Sequence, residues 1–332
     1  MTKMSYFLPM HHIVFAVYQG FELLDMSGPA SVFDGANHVL AQGAKPPFYA
    51  IDLVSVDGGL VRSSSGIAVH SLSWDELASG AVDTLLVVGA QREQLLQAVA
   101  DPALRTWLPQ LAAKAPRFGS VCSGAFILAA LGLLDGRCVA THWDACAPLA
   151  GAFPSVRVDS DSLYVVDGPI WTSAGVTTGI DMALAMVAHD LDAAIASQIA
   201  KGLVLYARRP GYQSQFSPLL KAQTKADSPF ADLISWIMTN LDASLDVSTL
   251  ATRAGLSERT FHRKFTAATG ETPARFVESA RLDAARMLLS RGTSLKSVAA
   301  LIGLAPAPRF AEAFERRFGV TPKLFRDMHA EL

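Results

Sequence analysis

Cysteine is scarce: three residues in 332, Cys122, Cys138 and Cys146, without CxxC spacing and in an odd number that leaves at least one outside any intrachain pairing. That excludes a disulfide or zinc framework, and neither a metal nor a cofactor is expected. Charge is also sparse, 17% against 51% hydrophobic residues, which excludes a long disordered region. No apolar run reaches the roughly eighteen residues that a bilayer span requires. The opening MTKMSYFLPMHH lacks the apolar stretch of a secretory signal. The expectation is a cytoplasmic protein with no membrane partner.

What is there begins with length, which exceeds the usual size of one hydrophobic core and points to two domains. Charge divides the chain in the same way. Residues 1 to 227 hold 14 Lys and Arg against 19 Asp and Glu, net −5, and residues 228 to 332 hold 14 against 11, net +3. The basic part is the candidate for a polyanion partner. The first part alternates apolar runs with helical stretches: HIVFAV (12–17), FYAIDLVSV (48–56), TLLVVG (84–89), RFGSVC (117–122), CVATHW (138–143) and LYVVDGPIW (163–171) read as buried strands. The amphipathic segments 91–113 and 124–134 lie between them. This alternation predicts an α/β domain over 10–206, a mostly parallel sheet sandwiched by helices. A helical pair over 180–206 closes it. The segment over 207–228, rich in Pro, Gly, Ser and Gln, reads as a linker.

From Pro229 onward the strand signal gives way to a helical period, predicting an all-α domain over 229–330 with six or seven short helices. Asp246, Ser257, Thr272 and Thr321 are placed as N-caps, with Pro273 and Pro322 at first helical positions. The domain repeats itself. Leu250, Ala251 and Gly255 recur 48 residues later as Val298, Ala299 and Gly303; Phe261, Phe265, Gly270, Thr272, Pro273 and Phe276 recur 49 residues later as Phe310, Phe314, Gly319, Thr321, Pro322 and Phe325. Helix, Gly-containing turn and helix make a helix-turn-helix unit, and two copies imply two groove contacts on double-stranded DNA. A single such unit is more often a packing device; duplication and positive charge favour DNA. With Phe261 and Phe265 in the core, Arg259, His262 and Arg263 face outward and can reach guanine edges or phosphates.

These hundred residues resemble the AraC/XylS family of transcription regulators, whose signature is closely matched by RRFGVTPKLFR (316–326). The resemblance implies two helix-turn-helix units joined by a long helix, here about 273–290, with RNA polymerase as a partner and activation as the mode of control. The second unit departs from the pattern, with Pro306, Pro308 and Glu312 in APAPRFAEAF (305–314). The expectation is therefore that the first unit carries most base specificity and that Arg309, Arg316 and Arg317 anchor phosphates.

In RFGSVCSGAFILAALGLLDGRCVATHW (117–143), Cys122 ends a predicted strand and small residues lead into a helix. Such an elbow sets a thiol beside a helix N-terminus, where N–H groups and the macrodipole favour thiolate or a bound anion. A lone cysteine is otherwise more often a packing residue. Residues 10–200 resemble the PfpI-type, glutamine-amidotransferase-like superfamily, in the version fused to AraC-type domains in GlxA-like regulators. The stretches GFELLDMSGPASVFDGA (20–36), the elbow through THW (141–143), and WTSAGVTTGIDMALAMV (171–187) carry that likeness. It implies that Asp25 approaches the thiol, and that a homodimer forms.

Catalysis in that superfamily needs a histidine and an acid behind the cysteine. Here Ser123, not His, follows the elbow, and His142 is the remaining candidate, either as pocket lining or as a hydrogen-bonding strand-end residue. The N–H groups of Gly89, Ala90 and Ser123 are candidates for an oxyanion or carboxylate nest. The expected ligand-binding set is Asp25, Gly89, Ala90, Cys122, Ser123 and His142, taking a small nitrogenous or carboxylate effector in a non-catalytic sensor. The alternatives are a Cys-dependent enzyme resembling isonitrile hydratase, using Cys122, Asp25 and His142, and a thiol redox sensor.

Overall fold

The computed structural model describes residues 10–77, 81–205, 209, 211, 215, 230–269, 271–318 and 320–329. The chain forms two compact units, Met1–Gln215 and Phe216–Leu332. The division falls within 207–228. Of that segment only Arg209, Gly211 and Gln215 are described, and all three bond to the first unit; the rest of the predicted linker, like Gly270 and Gly319, lies outside the described residues.

The first unit is built on an eight-stranded sheet: β1 His11–Ala16, β2 Tyr49–Ser55, β3 Asp57–Arg62, β4 Ala68–Ser73, β5 Thr84–Val87, β6 Arg117–Val121, β9 Tyr164–Asp167 and β10 Ile170–Ser173, with β7 Cys138–Val139 and β8 Arg157–Val158 pairing separately. The order is β3-β4-β2-β1-β5-β6-β10-β9. Its six central strands run parallel, and an antiparallel strand edges each side. Ile13, Val14, Phe15, Leu85, Leu86 and Val87 are fully buried, which is why these strands read as continuous apolar runs rather than alternating ones. The helix Leu23–Gln42 packs on Thr177–Asp190 and Ala193–Gly202, and Arg92–Ala100 packs on Pro102–Lys114 and Ala125–Ala130.

Three expectations are corrected. The run 163–171 is a hairpin, β9 to β10, because Gly168 takes a positive φ of 61° and Pro169 cannot extend the ladder. The segment 91–113 is two helices: the Asp101 side chain accepts from the Ala103 and Leu104 N–H groups, and Pro102 opens the second. In CVATHW only Cys138–Val139 is strand, since the Thr141 hydroxyl turns to the Cys122 carbonyl.

The topology locates the site. From β1 the chain passes to β2 on one side, and β5 then joins β1 on the other. Sequence direction thus reverses between β1 and β5, and the crevice beyond the carboxyl ends of strands at such a switch point is where open α/β sheets bind ligands.

The second unit holds seven helices among its described residues: Ala231–Thr239, Val247–Arg253, Glu258–Thr269, Pro273–Ser290, Leu295–Leu301, Ala307–Phe318 and Pro322–His329. Asp246 and Thr272 cap through side-chain oxygens, and so do Ser257 and Thr321, at 3.4 and 3.2 Å from their N–H donors. Ser294, which sequence reasoning overlooked, caps the repeat copy of the helix that Asp246 caps. The repeat is also one of packing. Phe261 and Phe265 meet at 5.2 Å and Phe265 meets Phe276 at 5.4 Å; Phe310 and Phe314 meet at 5.6 Å and Phe314 meets Phe325 at 5.5 Å. Each fully buried phenylalanine contributes about 1.5–3 kcal/mol. Gly255 and Gly303 both turn at a φ of 65°, a conformation that favours glycine after a helix C-terminus.

Candidate functional site

Three loops meet at the switch point. The one after β1 carries Tyr18 and Glu22 into the helix that bears Asp25, the one after β5 carries Gly89 and Ala90, and the one after β6 is the elbow. Cys122 sits at a φ of 58° and opens a short 3-10 turn, Cys122–Gly124, that runs into Ala125–Ala130. A non-glycine residue held there is strained, and such strain persists only where the surroundings enforce it. They do. A Cβ added to Gly175 would lie 2.2 Å from the Cys122 Cβ, and one on Gly89 would lie 2.8 Å from both the Asp25 carboxylate and the Cys122 Cβ. The Thr141 hydroxyl clamps the Cys122 carbonyl at 2.9 Å.

Asp25 is fully buried and lies beside Cys122. Its carboxylate accepts from the Val176 N–H at 2.7 Å and from the Gly89 N–H at 3.2 Å. Val176 has a φ of 52°, an outlier for a β-branched residue. Burial raises the Asp25 pKa to about 6, against the opposing pull of those two N–H groups and with help from Glu22. Burial, and then Asp25, push the Cys122 thiol well above its ordinary range, partly offset by the Ser123 N–H. Of the pair, Asp25 ionises first. At neutral pH the site holds a neutral thiol beside a carboxylate, the reverse of the thiolate expected from the elbow alone. The following helix has only six residues, too little to outweigh desolvation.

The three N–H groups of the expected nest are arranged as follows. The Gly89 N–H serves Asp25, the Ala90 N–H donates to the Ser123 hydroxyl at 3.0 Å, and the Ser123 N–H lowers the thiol's pKa against its burial. The Ser123 hydroxyl in turn donates to the Ala90 carbonyl at 2.8 Å. The Gly89 and Ala90 N–H groups thus already have acceptors within the protein. His142 does not join the pair: among the described residues its ring makes no hydrogen bond to Cys122 or Asp25 and lies 5.3 Å from Trp143, with its pKa lowered by burial. Its carbonyl accepts from the Cys146 thiol at 3.4 Å.

Sequence reasoning overlooked Tyr18, Glu22 and Thr141. The buried Tyr18 hydroxyl donates to Val88 at 3.0 Å, and its pKa is raised by burial and by Asp25 and Cys122. Glu22 accepts from the Ser64 hydroxyl at 3.0 Å. Position was the available signal, since all three flank expected site residues.

In the second unit Arg259, His262 and Arg263 are exposed on Glu258–Thr269 while Phe261 and Phe265 are fully buried, and Arg309 is exposed on Ala307–Phe318. Arg316 and Arg317 differ from each other. They pair with Glu278 at 2.5 Å and Asp283 at 3.1 Å on the long helix Pro273–Ser290; Arg317 is largely covered there, whereas the Arg316 side chain stays 67% exposed and open to a phosphate.

A family model described as DJ-1/PfpI matches residues 11–189, and one described as a helix-turn-helix domain matches residues 250–328. The chain belongs to the DJ-1/PfpI family. Among DJ-1/PfpI relatives, the HTH-type transcriptional regulator CdhR of Pseudomonas aeruginosa is 31% identical over 276 residues, covering 82% of this chain and 80% of that one. The isonitrile hydratase of Pseudomonas putida is 29% identical over 204 residues, 61% of this chain and 81% of the hydratase. A solved THiJ/PfpI family protein from Pseudomonas syringae superposes with a TM-score of 0.54 at 25% identity, covering 69% of this chain and 89% of that one. Among the described residues no helix is long and apolar enough to cross a membrane.

Proposed function

We propose that the chain is a sequence-specific, DNA-binding transcription regulator whose DJ-1/PfpI unit senses a small molecule at Cys122 and Asp25. One observation carries the reading: a duplicated helix-turn-helix unit, with Arg259, His262 and Arg263 exposed, shares a chain with a buried Cys–Asp site whose Gly89 and Ala90 N–H groups already have acceptors. Sensing rather than turnover is supported by the raised thiol pKa and by the absence of a histidine bonded to the thiol among the described residues. Of the two effector classes, the nitrogenous one is favoured. Asp25 and Glu22 repel a carboxylate and attract a cation or an N–H donor, and the Gly89 and Ala90 N–H groups already have acceptors. The same reading has the regulator act as a cytoplasmic homodimeric activator alongside RNA polymerase.

The test is binding to a genomic fragment library at 50 and 200 mM salt. With about four basic contacts per subunit, affinity for selected fragments should fall on the order of a hundredfold between the two for each subunit engaged. Salt-insensitive or unselective binding contradicts the reading. Turnover of an isonitrile that is lost in Cys122→Ser would replace sensing by the hydratase alternative, which the Cys122–Asp25 contact makes specific.

A further inference from the structure

The segment that leaves the first unit is stapled to both flanks of the elbow. On one flank, the Arg209 backbone N–H donates to Asp181 at 3.0 Å, and its guanidinium reaches the Asp181 carboxylate at 3.0 and 2.7 Å and the Thr177 hydroxyl at 2.9 Å. Asp181 is buried, and Thr177 directly follows Val176, whose N–H holds Asp25. On the other flank, the Gln215 side-chain amide donates to the carbonyls of Thr141 and Ser162, both at 3.0 Å. Thr141 is the residue whose hydroxyl clamps Cys122. Between the two staples the Gly211 carbonyl accepts from the Leu163 N–H at 2.6 Å.

We propose that Arg209 and Gln215 are positioning residues of the Cys122–Asp25 site, and that through these two residues occupation of that site is passed along the chain toward the DNA-binding unit. The second half of this proposal rests on the sensing reading; the first half does not. The route is short. An effector that takes the Asp25 carboxylate as its acceptor competes with the Val176 N–H, and the strained Val176 is joined directly to the helix that holds Arg209. The staple at the other end is one bond short: the Gln215 side-chain oxygen is buried and, among the described residues, accepts no hydrogen bond. A buried acceptor left unmet marks an arrangement that a small shift can improve. Beyond Gln215 the chain continues into the second unit, so a change in how Arg209 and Gln215 are held is passed along the chain toward it. Coupling of this kind is reciprocal, and a disturbed latch must disturb the site.

The test uses both directions in the full-length chain. N-ethylmaleimide labelling of Cys122, followed by peptide mass spectrometry across pH, is compared in wild type, Arg209→Gln, Arg209→Lys and Gln215→Ala. The expected result is a labelling rate changed by about fivefold or more with an altered pH profile in Arg209→Gln and Gln215→Ala, and partial return in Arg209→Lys. Gln215→Ala unpairs no buried charge and stands in if Arg209→Gln fails to fold. In the other direction, Asp25→Asn should speed amide exchange at Arg209 and Gln215 while leaving β2 unchanged. Labelling within twofold of wild type in Gln215→Ala, with unchanged exchange in Asp25→Asn, overturns the proposal and leaves Arg209 and Gln215 as packing. Neither readout needs an effector, so this failure is distinct from a failure to find a metabolite that alters DNA affinity.

Discussion

Replacing Asp25 by asparagine changes how the stability of the first unit follows pH, by an amount that the site's geometry sets. Asp25 is fully buried, and its pKa is raised from 3.8 to about 6, chiefly by burial. The folded state therefore holds the proton more tightly than the unfolded chain. The stability that protonation contributes is complete below about pH 4 and is lost as pH rises through about 6. Integrated between pH 7 and pH 5, wild type gains about 1 kcal/mol on acidification that an asparagine cannot supply. Asparagine can accept from only one of the Val176 and Gly89 N–H groups, but that cost is the same at both pH values and cancels in the comparison. For a unit of this size the difference is about 2–4 °C in melting temperature. Urea and thermal unfolding of both proteins at pH 5 and pH 7 measure it, and the deficit of Asp25→Asn should be larger at pH 5. A deficit equal at both pH values, or larger at pH 7, refutes the reasoning: the two N–H groups would then outweigh burial and hold the carboxylate ionised.

Three further outcomes are expected. Asp190→Asn should cost about 3–5 kcal/mol in urea unfolding, because it strands Arg117, whose fork meets Asp190 at 2.9 and 2.7 Å with side chains only 9% and 7% exposed; a loss under about 1 kcal/mol would mean that the pair is open to water. Gly175→Ala puts a methyl against Cys122 at a backbone φ of 87° and should lower stability by about 2 kcal/mol or more, and a neutral effect on melting would show that the elbow is loosely held. Arg263→Ala should relax operator preference, whereas Arg309→Ala should weaken all sequences alike and lower the salt slope by about one; equal loss of specificity in competition binding would remove the asymmetry between the two units.

Much of the fold was legible because local signals agreed with tertiary ones. Buried parallel strands such as His11–Ala16 and Thr84–Val87 must be apolar on both faces, and the duplicated phenylalanines report a duplicated core. The strands Asp57–Arg62 and Ala68–Ser73 were not legible: the first holds two glycines, and only pairing with its neighbour makes it a strand. The site was legible as a set of residues, not as chemistry. Asp25 and Cys122 do meet, but the state of the thiol depends on burial, which outweighs the elbow's favourable N–H. The Gly89 and Ala90 donors looked available because their acceptors, Asp25 and Ser123, come from distant segments. The ion pairs of Arg316 and Arg317 were invisible for the same reason, their acidic partners lying more than thirty residues earlier in the chain.

The central claim is that a small molecule at the elbow tunes DNA affinity. The most direct measurement is the affinity of the purified protein and its Cys122→Ala variant for a selected fragment, with and without a panel of betaines, amino acids and amides. The account predicts that a nitrogenous compound shifts wild-type affinity by about fivefold or more and that the shift is lost in Cys122→Ala while effector-free binding is retained. Selective binding that no compound changes, or a shift that survives in Cys122→Ala, would contradict it.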